Sequence, residues 1–198
     1  MTNPYATPES DLTATASHDA APVYGGFWRR LGAVMIDGLC LSPLFVLQFY
    51  LMAQSRSGMA YSIVPMLAVP LLYNVYLVRR YGATPGKLAM KLRITMLDGA
   101  PVTGRAALVR YLPWVVFGAV QSVGAALAAL SMTDEAYASF GWMERSAQLE
   151  MVQPIWATYV GHAMKAWTLA MLISLLATSK RRTLHDFLAG TVVVRKAA

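Results

Sequence analysis

The sequence predicts an all-α membrane protein: four transmembrane helices with a small two-stranded β element on the cytoplasmic side. Three observations predict it. Four apolar runs are each close to or above the roughly 20 residues that cross a bilayer as a helix. Only 14% of the 198 residues are charged and 57% are apolar, whereas a soluble domain carries about 25% charged residues. The cations also gather on alternate connecting segments.

Residues 1–24 hold Pro4, Pro8 and Pro22, many Ser and Thr, and no apolar period. They read as a disordered cytoplasmic tail, with no apolar stretch of the kind a signal peptide needs. Residues 25–198 read as one transmembrane domain. Gly25 and Gly26 hinge the tail to Phe27 and Trp28, amphipathic anchors suited to the interface. The first helix is expected over 31–53, kinked at Pro43. Arg56 is the one charge in the turn that follows. The second helix is expected over 61–78, interrupted by Pro65 and Pro70 and carrying Asn74.

Arg79-Arg80-Tyr81-Gly82 closes that helix. Thr84 followed by Pro85 is a helix start, with an N-cap and then proline at the first helical position. A short amphipathic helix should run to about Lys91. Residues 92–97 read as a strand, and Asp98-Gly99 as a tight turn. An interfacial helix over 103–110 leads into the third span, 111–130. The second half of that span is rich in Gly, Ala and Ser, which let membrane helices approach closely. Residues 131–154 are polar and acidic, with Thr133 placed to cap a surface helix. The fourth span covers 155–178. Thr183 with Asp186 resembles a capping box with Asp in place of Glu, Gly190 ends that short helix, and 191–195 is a strand by composition. The two strands, each with unpaired backbone groups, are expected to pair with each other.

Orientation follows from the 17 Lys and Arg. Two precede the first span, seven lie between the second and third, and five follow the fourth. Fourteen therefore share one side, against Arg56 and Arg145 on the other. The positive-inside rule puts both termini and the 79–110 segment in the cytoplasm. The net charge of +7 is thus explained by topology and contact with anionic lipid, and nucleic acid is not among the expected partners.

The charge inside the first span is the candidate site. Asp37 is the only formal charge between Leu31 and Ala53. It lies roughly 10 Å deeper than Arg30 on the same helix face. A carboxylate at that depth costs a few kcal/mol on insertion scales unless it faces protein or water and has a partner. Arg30, Arg110 and Arg182 are the candidate partners. Two readings stand: a proton- or cation-binding group in a transport path, or a buried charge pair that fixes helix packing. In the fourth span Lys165 lies near the midplane, with His162 one turn away. Each is a candidate for lining a polar cavity, with Asn74 or Gln121 as a polar partner for Lys165.

Three blocks, taken together, resemble the RDD family of bacterial membrane proteins. The first is Phe27-Trp28-Arg29-Arg30 through Asp37. The second is Thr84-Pro85-Gly86-Lys87 through Leu92-Arg93-Ile94 to Asp98-Gly99, then Arg105. The third is Arg181-Arg182-Thr183-Leu184-His185-Asp186 through Ala189-Gly190-Thr191. The arginine and two aspartates of the family name fall on Arg30 (or its neighbour Arg29), Asp37 and Asp186. The resemblance implies a multi-pass protein of the bacterial cytoplasmic membrane and points towards transport, with the ligand left open.

Other chemistries find little footing. Thr84-Pro85-Gly86-Lys87 lacks the longer glycine-rich motif and preceding strand of a phosphate loop. Leu184-His185-Asp186 has no nucleophile or metal cluster beside it, so no catalytic residue and no enzyme activity are assigned. His18, His162 and His185 show no metal-ligand spacing, and Cys40 is the single cysteine, so neither a metal, a cofactor nor an internal disulfide is expected. The sequence therefore supports either a small transporter or transporter subunit, with a responsive Asp37, or a non-catalytic scaffold that docks a partner or anionic lipid. Four spans barely enclose a path, which makes a homo-oligomer or a membrane-protein partner plausible.

Overall fold

The computed structural model describes residues 23–196. Most of the expected tail, residues 1–22, lies outside them. Four long helices form a bundle: α1 (Phe27–Gln54), α2 (Gly58–Tyr81), α4 (Gly104–Ser131) and α7 (Ile155–Ala177). All four are long and apolar enough to cross a membrane. Short elements join them: α3 (Pro85–Ala89) and β1 (Leu92–Met96) at one end, and α5 (Asp134–Ser139) and α6 (Trp142–Val152) at the other. After α7 the chain forms α8 (Leu184–Ala189) and β2 (Thr191–Arg195). The bundle is a row in which α2 packs on α1 and α4, and α4 packs on α7.

The sheet is antiparallel, with Leu92 opposite Arg195 and Met96 opposite Thr191. The predicted strand pair thus forms, and the end that carries it is called the sheet end below. One feature was not foreseen. The segment at Tyr24 bridges to Val194 on the other edge of β2, where Gly25 N–H donates to Val193 O at 2.9 Å. Covering that edge satisfies backbone groups that would otherwise lie open. Among the described residues neither Arg93 on β1 nor Arg195 on β2 forms an ion pair.

The boundaries differ in an instructive way. The separate interfacial helix over 103–110 and the span over 111–130 are one helix, α4, continuous through Pro113. Thr103 caps it, its hydroxyl oxygen accepting from Ala106 N–H at 3.2 Å. At 28 residues, α4 is roughly 42 Å long, well beyond the ~30 Å hydrocarbon core. Its first turns therefore project and carry Arg110 into the sheet end. The span α1 likewise has 28 residues and starts at Phe27 rather than Leu31. The 131–154 segment holds two helices rather than one, the first capped by Thr133 as expected.

Two cores result. At the sheet end Val78, Leu92, Ile94 and Val193 are fully buried together, with small residues of α1, α4 and α8. Each such side chain contributes about 1.5–3 kcal/mol. At the far end Met59, Ala128, Ala129, Tyr137 and Leu149 pack together. Between the ends the helices meet mainly through small residues. A Cβ on Gly124 would collide with the Cβ of Ala157 on α7, which is the close approach that small residues permit. Leu39, Met35, Val64 and Leu72 face outward and are exposed, as suits side chains whose solvent is lipid.

Candidate functional site

Asp37 and Asp186 sit at the sheet end, each inside its own set of donors. Asp37 lies on α1 where α3 crosses it. Gly82, in the left-handed region at φ 71°, ends α2 and turns the chain. Thr84 is then extended, and Pro85 begins α3. This brings four donors to one carboxylate. Tyr73 Oη donates to Oδ1 at 2.7 Å, Gly86 N–H to the same oxygen at 2.7 Å, and Thr84 Oγ1 to Oδ2 at 2.6 Å. Lys87 Nζ is 3.8 Å from Oδ2. A carboxylate accepting hydroxyl and amide hydrogens at these distances makes charge-assisted bonds, the strong class.

Two expectations change here. Asp37 pairs with none of the three candidate arginines; among the described residues its one ion partner is Lys87. Thr84 occupies the N-cap position of α3, but its hydroxyl accepts no backbone N–H of that helix; it accepts instead from the Lys87 ammonium at 3.2 Å. The hydroxyl's own hydrogen goes to the Asp37 carboxylate. Asp37 instead caps α3 from a neighbouring helix by accepting a first-turn N–H, where negative charge is also favoured by the helix dipole. Gly86 makes the contact possible. A Cβ there would strike the Ala33 carbonyl and stand 2.8 Å from the Asp37 carboxylate.

Asp186 is the more deeply held of the two and is wholly buried. It occupies the third position of α8, and its Oδ2 accepts the Thr183 N–H at 3.0 Å, as the capping-box spacing predicts. Thr183 Oγ1 donates to the same oxygen at 2.8 Å. Arg30 Nη1 reaches Oδ2 at 3.2 Å. Arg110 Nη1 pairs with Oδ1 and also donates to Thr191 Oγ1 at 2.9 Å. The same guanidinium of Arg30 donates to the Gly25 and Arg181 carbonyls. Burial by itself pushes the Asp186 carboxyl upward, but the Arg110 charge, joined by Arg30 and the Thr183 N–H, outweighs it. The net direction is below the usual carboxylate range.

Arg182 does not reach either carboxylate. Its Nε donates to Thr191 O at 3.1 Å, its Nη2 to the Asp186 backbone carbonyl at 2.9 Å, and its plane lies 4.0 Å from the Phe187 ring centroid. It therefore ties α8 to β2 through the main chain. His185 packs beside Asp186, with Nε2 3.0 Å from Thr183 Oγ1 and Nδ1 3.2 Å from the Met171 sulfur. Since the Thr183 hydroxyl hydrogen goes to Asp186, the imidazole N–H belongs on Nε2. Burial, then the Arg110 charge, lower the His185 imidazole to about 3, so the ring is neutral at pH 7. Burial and the Arg110 charge also lower Lys87 to about 8.

The cavity-lining candidates lie elsewhere. Asn74 turns back on its own helix, donating to Pro70 O at 2.9 Å. Gln121 donates to Gln153 Oε1 at 3.3 Å, and its own Oε1 takes no hydrogen bond from Lys165. His162 and Lys165 stand on the exposed face of α7. A cleft of about 440 Å³ opens between the start of α1 and the end of α7, lined by Phe27, Leu175, Thr178 and Arg181 among others. None of Asp37, Asn74, His162 or Lys165 lines it. Among the described residues no group of His, Cys, Asp and Glu has the makings of a metal site.

The residues that sequence reasoning did not assign to these sites are Tyr73, Thr84 and Gly86 around Asp37, and His185 and Thr191 around Asp186. A hydroxyl in a span and a Thr-Pro-Gly-Lys run each hint at an acceptor, but neither says which one.

The family model of the RDD family matches residues 24–190. The chain belongs to the RDD family. No curated protein matches it. The RDD match begins at the Tyr24 bridge and ends at Gly190, so it takes in both carboxylates, all four long helices and the first strand. Within that match Arg30 on α1 pairs with Asp186 of α8, while Asp37 of α1 accepts the Gly86 N–H of α3. With four apolar helices and this membership, the chain is an integral membrane protein.

Proposed function

We propose that this RDD protein is a non-catalytic membrane scaffold or accessory protein, in which the two carboxylates act as clasps. One observation carries the reading: the Asp37 carboxylate is taken up by Tyr73, Thr84 and Gly86 N–H at 2.6–2.7 Å. An ion or proton relay group needs room for its cargo, and here each oxygen already has its donors. The Asp186 carboxylate is committed in the same way. The fourteen-to-two distribution of cations supports a cell-membrane location with the sheet end and both termini cytoplasmic, where basic residues meet anionic headgroups. Reporter fusions at Ala53 and Gln148 should both read extracytoplasmic; a cytoplasmic signal at Gln148 breaks this topology.

Transport by a responsive Asp37 is the second reading. It draws on one observation, the 3.8 Å gap between Lys87 Nζ and Asp37 Oδ2 together with a lysine lowered to about 8 by burial and the Arg110 charge. Such a lysine gives up its proton close to neutral pH. Proteoliposomes separate the two readings. The scaffold reading expects no proton or sodium flux above that of empty vesicles, with Asp37→Asn lowering thermal stability only. Flux that the wild type supports and Asp37→Asn abolishes would establish the transporter instead.

A further inference from the structure

Lys165 is the unsolved charge of the bundle. It is the eleventh residue of the 23 in α7, which places it within about 2 Å of the span's midpoint. No ion pair or hydrogen bond to it is found among the described residues, and it is exposed. A lysine near an end of a span can extend its ammonium to the interface, but from the midpoint both interfaces are about 15 Å away. Facing acyl chains there is expensive.

Its neighbours on the helix describe what covers it. His162, Lys165, Leu169, Leu172 and Leu176 recur at alternating spacings of three and four, and all five are exposed. That is the spacing of a seam along which one further helix lies lengthways. The seam is apolar towards the sheet end and polar at its middle, so the occupant must be a membrane helix with a polar group facing Lys165. Charge complementarity makes that group a carboxylate. A second copy of this chain does not supply one: within the four spans the single acid is Asp37, which lies near the sheet end in its own set of donors.

We propose that the His162–Leu176 seam of α7 docks a transmembrane helix of a different protein, one with an Asp or Glu near the bilayer midplane opposite Lys165. This deepens the scaffold reading and rests on it for what the docking serves. Binding and flux are separate measurements, so either can fail alone.

The test uses the full chain in phosphatidylcholine vesicles, with a donor dye on a cysteine introduced at Glu150 in a Cys40→Ala background. The probe is an acceptor-labelled Leu/Ala single-span peptide with one central Glu, compared with the same peptide bearing Leu there. Energy transfer should show the Glu peptide binding on the order of tenfold more tightly than the Leu peptide. Lys165→Leu, which is apolar and compatible with insertion, should erase that preference, and Lys165→Arg should keep it. Equal binding of the two peptides to the wild type would overturn the proposal, as would a preference that survives Lys165→Leu. Transfer between two labelled copies of the chain that Lys165→Leu abolishes would make the occupant a second copy, and would overturn it too.

Discussion

The two ends of the bundle employ arginine in different ways. At the sheet end Arg30 and Arg110 converge on one buried carboxylate, Asp186. At the far end the arginines turn mainly to backbone carbonyls. Arg56 donates to Leu130 and Met132 O, at 3.2 and 2.6 Å, and Arg145 donates to Tyr137, Phe140 and Met52 O while its plane lies 4.4 Å from the Tyr137 ring centroid. Among the described residues the one far-end ion pair, Arg56 with Asp134, has an acid that is 78% exposed. The contrast teaches where charge carries structure. A buried carboxylate requires its cations, because removing one partner strands the other away from water. A guanidinium on the carbonyls at a helix end supplies donors that water could replace.

The largest expected effect tests the buried side of this contrast. Asp186→Ala strands Arg110 and Arg30 and removes the anchor of α8. It should cost about 3–5 kcal/mol, read as a collapse in folded yield or melting temperature in detergent. If it melts within a degree or two of the wild type, Asp186 is not a clasp. Gly86→Ala sharpens the comparison inside the sheet end. The added methyl must displace the Ala33 carbonyl or the Asp37 carboxylate, at a cost of about 1–3 kcal/mol. Gly38→Ala, where a Cβ meets nothing within 4 Å, is the matched control on the same helix pair and should not destabilise.

The pH response should come from the sheet end as well. The folded His185 sits at about 3, below the ~6.5 of an unfolded histidine. Between those values the unfolded chain binds more protons, so this contribution to stability is present above about pH 6.5 and is lost as pH falls. At pH 5 the loss is about 2 kcal/mol. Melting curves at pH 7.5 and 5 should show it, and His185→Gln should remove most of the difference. Asp186, held low, keeps its charge throughout that window. The smallest effect belongs to the far end. Asp134→Ala breaks an exposed ion pair and should change stability by less than about 1 kcal/mol. A loss as large as that of Asp186→Ala would erase the distinction between the ends.

Much of the fold was legible. Hydropathy and charge spacing located the four spans, and β-branched runs between turn signals located both strands. Legible too were the capping position at Thr133 and the Asp186 reach to Thr183 N–H, because those signals act within a few residues. The boundary of α4 was missed because the apolar run starts only after Arg110, although the helix itself begins at Gly104 and carries Arg105 and Arg110 ahead of that run. What stayed hidden was which donor meets which acid. Arg30, on the same helix face as Asp37 and seven residues away, was one of three candidate partners for it, yet Arg30 goes to Asp186, 156 positions away. Thr84 serves Asp37 from 47 positions away. Such assignments depend on how α3 and α8 cross the bundle, and local periodicity does not encode a crossing.

The register of the sheet also sets a timetable. Met96 opposes Thr191, so β1 is complete 95 residues before the first residue of its partner has been made. At about 5–20 residues per second, the β1 strand waits roughly 5–20 s while two further helices enter the membrane. Ile94 and Leu92 have no Val193 to pack on during that interval, and Arg110 has no Asp186. Nascent chains halted at Gly190 should therefore be cut by protease within residues 92–96, and chains halted well beyond Arg195 should resist. The bundle would thus be sealed from its sheet end last, by the strand that follows the fourth span.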